Sequence, residues 1–76
     1  MPHIEIKCYP GRTEEQKHAL AAKISADVAE LFGAPESSVS IAFTEISRED
    51  WKSQVWDTEI APQMDALYKK PEYTCD

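Results

Sequence analysis

The sequence predicts an α+β fold built on one βαβ unit, and three stretches carry that prediction. Residues 4–9 alternate apolar with polar, residues 13–32 carry a capped helical pattern, and residues 39–44 alternate again. Strand, long helix and strand in that order imply two parallel strands joined by a right-handed crossover. Two strands alone do not make a stable sheet. The expected architecture is a four-stranded sheet completed by dimerisation, with helices on one face and short C-terminal helices, residues 1–76 forming a single domain.

In the first strand Ile4, Ile6 and Cys8 share one face, and Glu5, Lys7 and Tyr9 the other. Pro2 has the parity of the apolar set, and proline is tolerated at the start of a strand. Pro10-Gly11 ends the run. Thr13-Glu14-Glu15-Gln16 reads as a capping box, with two acidic residues at the positive end of the helix dipole. Leu20, Ile24, Val28 and Leu31, with Ala21 and Phe32 alongside, form one apolar stripe. Gly33 suits the C-terminal cap and Pro35 stops the helix from resuming.

Val39, Ile41 and Phe43 then alternate with Ser40, Ala42 and Thr44 in the second strand. Ser47 is placed to cap a further helix whose first turn holds Glu49 and Asp50. Trp51, Val55 and Trp56 give it an apolar side for a turn or two, and Pro62 predicts a break or a fresh helix start near Ile60. Met64, Leu67 and Tyr68 continue an apolar face as far as Lys69-Lys70-Pro71. Residues 72–76 are expected to form a loosely held tail.

Fourteen acidic residues against eight basic ones give a net charge of −6, which disfavours a phosphate backbone as partner; no nucleic acid is expected. No apolar run approaches the length of a membrane span. Two cysteines, Cys8 and Cys75, without a secretory leader fit reduced thiols in the cytoplasm. A chain this short buries only about 60% of its unfolded surface, so self-association is the expected source of the missing burial.

The dipeptide Met1-Pro2 bears on chemistry. If the initiator methionine is removed, Pro2 becomes a free secondary amine, in a class that titrates at roughly 7.7–8.0. Burial and a nearby guanidinium would both disfavour its charged form and hold it close to neutrality. No metal is expected, because His3, His18 and Cys8 show no ligand spacing. The parity of Cys8 predicts a buried, inert thiol.

Pro2, Ile4 and Ile6, the Gly11-Arg12 turn leading into Thr13 to Lys17, and Ser37 to Ile41 with Thr44-Glu45 resemble the 4-oxalocrotonate tautomerase family. Trp56 to Met64 and Tyr68 to Pro71 look like its dimeric phenylenolpyruvate-tautomerase branch of small bacterial tautomerases. The resemblance implies a cofactor-independent keto–enol tautomerase acting on enol forms of 2-oxo acids, with Pro2 as the catalytic acid/base. It implies that Arg12 binds the substrate carboxylate and that Trp51 lies on the pocket wall. Ser40 stands where the best-studied members carry a second arginine from another subunit, a departure that argues against muconate-type substrates.

On residue chemistry alone an exposed turn arginine is the alternative for Arg12, although a cation at a helix start is not helped by the dipole, and both tryptophans could be core or interface anchors. A non-catalytic dimeric ligand-binding module and a proline-dependent hydratase or dehalogenase remain the alternatives. Glu5, Lys7 and Thr44 make the outer sheet face polar, so a homodimer is expected rather than a hexamer.

Overall fold

The computed structural model describes all 76 residues. Strands β1 (His3–Cys8) and β2 (Ser40–Glu45) pair in parallel, with Ile4 opposite Ile41 and Ile6 opposite Phe43. Both strands sit one residue away from their expected limits, because the ladder opens and closes on backbone bonds. The Ser40 amide donates to the Pro2 carbonyl at 3.1 Å, and the Ile46 amide to the Cys8 carbonyl at 2.9 Å.

Helix α1 (Glu14–Phe32) connects them, and its ends are set by the predicted signals. The Gln16 amide donates to the Thr13 hydroxyl at 3.1 Å, and the Thr13 amide to the Gln16 side-chain oxygen at 2.9 Å, two otherwise orphaned donors satisfied together. Gly33 adopts φ 70°, a left-handed geometry that favours glycine, and its amide donates to the Ala29 carbonyl. A short 3₁₀ turn at Glu36–Ser38 leads into β2.

Ile6, Cys8 and Phe43 face α1 across a cleft that Gln16, Lys17 and Leu20 also line. Lys17 reaches Glu14 at 3.0 Å and Glu45 at 3.9 Å, tying the first turn of α1 to the end of β2.

Beyond β2 the chain runs through successive helical pieces, with a fresh start at Ala61, next to the expected Ile60, and a kink at Gln63 (φ −117°, ψ 21°). Helix α2 (Arg48–Trp51) is capped by Ser47, whose hydroxyl accepts from the Asp50 amide. The winding then widens to a π-helix over Lys52–Ile60 and tightens to a 3₁₀-helix over Ala61–Ala66, with Pro62 in the first turn of the last piece. In the π-helix, residues five apart are linked. The Ala61 amide donates to the Trp56 carbonyl, and Lys52 donates to both Asp57 carboxylate oxygens at 3.2 Å. This stretch meets the strands through Glu59, paired with Lys7, whose parity is opposite to that of the residues facing α1.

Only two residues, Val55 and Trp56, are buried, and α1 contributes none. Leu31 and Phe32 are more than 70% exposed. The stripe of α1 is therefore half covered by a single chain, and Cys8, expected to be buried, is half-buried on a strand with one unpaired edge. Tyr68 does not continue the apolar face: the 3₁₀-helix ends at Ala66, Leu67 turns to extended backbone, and the Tyr68 side chain projects into solvent. No helix is long and apolar enough to cross a membrane.

Candidate active site

At the carboxyl end of β1 the chain runs through Tyr9 into a turn at Gly11. Its φ of 123° is open to glycine and strained for other residues, and it sends the backbone on to Arg12 at the edge of a cavity. That cavity has a volume of about 490 Å³, within the range of small-molecule sites, and is lined by Lys7, Cys8, Tyr9, Arg12, Trp51 and Tyr73.

The aromatic walls are ordered by contacts among themselves. Tyr9 meets Trp51 edge-on, ring centroids 5.2 Å apart, and the Arg48 guanidinium lies 4.5 Å from the Tyr9 ring centre. Of the two cations on the wall, Lys7 is already committed. Its hydrogen bond to Glu59 holds its pKa above the ordinary value of 10.5, reinforced by the charges of Glu59 and Glu5. Arg12 is exposed and forms no ion pair within the chain, so its planar fork is free to hold a carboxylate.

Pro2 and Ser40 lie together at the opposite end of the strands. Pro2 is half-buried, its carbonyl accepts from the Ser40 amide, and the Ser40 hydroxyl lies 2.7 Å from His3 Nδ1. Met1 projects fully into solvent, and while it is attached the Pro2 nitrogen is a non-basic amide.

The four residues singled out from sequence therefore fall into two pairs, Arg12 with Trp51 and Pro2 with Ser40. The length of β1, roughly 20 Å at 3.3 Å per residue, separates them. Tyr73, assigned to a loose tail, is a wall residue instead, and Tyr9, assigned to a polar strand face, packs on Trp51. The available signal for Tyr73 was an aromatic residue set in an otherwise polar C-terminal stretch after Pro71.

A protein-family model described as tautomerase enzyme matches residues 2–55. Tautomerase PptA of Enterobacter sp. (strain 638) is 52% identical over 75 residues, spanning 97% of this chain and 99% of that protein. Tautomerase PptA of Escherichia coli O157:H7 is 51% identical with the same coverage.

Among solved structures, one described by an analysis of trans-3-chloroacrylic acid dehalogenase activity superposes with a TM-score of 0.62 at 33% identity, covering 64% of this chain and 92% of that one. An apo unfused 4-oxalocrotonate tautomerase gives a TM-score of 0.62 at 35% identity, covering 64% and 80%. The βαβ arrangement and the resemblance read from the residues are borne out together: the chain belongs to the tautomerase enzyme family and is an isomerase.

Proposed function

We propose that the protein is a cofactor-independent keto–enol tautomerase for enol forms of 2-oxo acids of the phenylenolpyruvate type, with Pro2 as general acid/base once Met1 is removed. The observation that carries this reading is the unpaired Arg12 guanidinium at the mouth of a cavity walled by Tyr9, Trp51 and Tyr73. One end of such a cavity suits a carboxylate and the other a flat ring. The reaction then needs a base of near-neutral pKa that takes the proton from the enol hydroxyl and delivers one to the adjacent carbon, leaving the ketone. The family match opening at Pro2 supports that residue in the role.

Pro2 and Arg12 are too far apart in one chain to hold the same small substrate. A two-fold pairing of β1 edges, running antiparallel, sets Pro2 of one chain beside the Arg12 end of the other and produces the four-stranded sheet. The exposed Leu20, Leu31 and Phe32, and a core of two residues, supply the reason to associate. The outer polar groups are already satisfied, Thr44 donating to Glu5 and Lys7 to Glu59, which supports a dimer over a larger assembly. Ser40 offers a hydroxyl beside Pro2 but no charge, so substrates that depend on strong oxyanion stabilisation are expected to turn over slowly.

Ketonisation of phenylenolpyruvate by the methionine-processed protein and by Pro2→Ala tests the proposal, and equal rates overturn it. A proline-dependent dehalogenase is the second reading, favoured by the description of one structural relative. That chemistry requires an activated water, and the cavity wall of one protomer carries no carboxylate to provide it. A panel of enol acids and haloacrylic acids separates the two.

A further inference from the structure

We propose that Tyr73 sets the selectivity of the cavity for aryl-substituted enol acids, forming its wall and fixing the plane of Trp51. The proposal rests on the reading of this cavity as the carboxylate-holding half of the tautomerase site. The Trp51 indole N–H donates to the Tyr73 hydroxyl at 3.1 Å, across 22 residues of sequence. The Tyr73 ring in turn lies 5.4 Å from that of Trp56, one of the two buried residues, at an interplanar angle of 43°. Tyr73 thus joins the only core of the chain to the wall of its largest cavity.

Trp51 is constrained twice. The edge contact with Tyr9 limits the tilt of the indole, and the bond to Tyr73 limits its rotation, because an indole nitrogen is a donor only and has this one partner. A ring fixed on both counts presents a defined face to a substrate whose carboxylate is held by Arg12. An aryl group on the carbon that receives the proton falls against that face, whereas a short alkyl group gains little from it. Tyr73 lies outside the matched span of residues 2–55, so this wall is an addition to the part of the chain covered by the family model.

The test uses the full, methionine-processed protein and two enol acids, phenylenolpyruvate and the enol of 2-oxobutanoate. Tyr73→Ala is expected to lower kcat/KM for the aryl substrate roughly tenfold, through KM, and to leave the alkyl substrate within about twofold. Tyr73→Phe keeps the ring and loses only the hydroxyl, so it is expected to fall between, with the Trp51 indole N–H resonance shifted upfield. Parallel losses on both substrates, or an unchanged aryl preference, overturn the proposal.

Should Tyr73→Ala not fold, Tyr73→Phe decides: an unmoved Trp51 resonance together with an unchanged preference overturns the proposal. A titration with 3-phenylpropanoate, followed at the Trp51 resonance, needs no turnover. Weaker binding to either Tyr73 variant supports the wall even if the wild-type protein isomerises neither enol acid, and that inactivity would count against the proposed function alone. Equal affinity in wild type and variants overturns the wall.

Discussion

The Ser40 amide donates to the carbonyl of Pro2 at 3.1 Å, so β2 holds Pro2 through its carbonyl and leaves the nitrogen to its own chemistry. Blocking that nitrogen should therefore cost activity without cost to the fold. A form with an unprocessable N-terminal extension is expected to lose about 10²- to 10⁴-fold in rate, the usual contribution of positioned proton transfer. Its circular dichroism should match that of the processed protein. Intact-mass measurement beside the rate assay confirms which form is being tested.

Arg12 is the free cation of the cavity, and its removal should weaken binding more than turnover. Arg12→Ala is expected to reduce kcat/KM by about 10- to 150-fold, corresponding to the roughly 1.5–3 kcal/mol of a hydrogen bond to a charged group. Arg12→Lys keeps the charge but not the two-pronged geometry and should recover only part of the loss. Steady-state kinetics resolved into kcat and KM check both.

Trp56 is half of the buried core and also carries the Tyr73 ring. Trp56→Ala is expected to destabilise by about 3–5 kcal/mol, a large share of a domain stability of about 5–15 kcal/mol. Urea unfolding should show a midpoint far below that of the wild type.

Because so little of one chain is buried, its stability should depend on how much protein is present. The thermal midpoint is expected to rise with concentration, as it does when association supports the folded state. Scanning calorimetry over a dilution series, with sedimentation velocity on the same samples, would show the midpoint and the dimer fraction rising together. A midpoint independent of concentration would mean that the single chain holds itself together.

The Glu14–Lys17 pair gives a pH signature. The hydrogen bond from Lys17, and then its charge, hold the Glu14 carboxyl below its ordinary 4.5, while the bond to Glu14 holds the Lys17 amine above 10.5. The stabilisation from Glu14 is present above 4.5 and lost as pH falls through its lowered folded value. That from Lys17 is present below 10.5 and lost as pH rises through its raised one. Comparing urea unfolding of wild type and Glu14→Gln across pH should show a modest gap, open near neutrality and closing at both extremes, and reduced by added salt.

The parts of the fold legible in the sequence were those decided within a few residues. Thr13 with Gln16 and Gly33 with Pro35 bracket α1, and the alternation of Ile4, Ile6 and Cys8 marks β1, because capping and pleating are local effects. Ser47 announced its helix for the same reason.

Long-range placement was not legible. Tyr73 found Trp51 and Trp56 through tertiary packing that no local pattern encodes, and a half-buried Cys8 could not be told from a buried one without the other side of the sheet. Of the site, the residues that the resemblance pointed to lie at the two ends of β1; what alternation could not reveal is which end each cavity wall would occupy.

The π-winding of residues 52–60 turns a question of identity into one of arithmetic. Five steps of an ordinary α-helix, at 100° each, end about 140° away from the starting side of the axis. Trp51 and Trp56 both reach Tyr73, and Lys52 reaches Asp57, because this stretch winds more loosely. Losing one residue between the two tryptophans would leave every aromatic group in the chain and still turn one of them away from Tyr73. The spacing between the two tryptophans is thus a structural requirement in its own right, alongside the buried Val55 that lies within it.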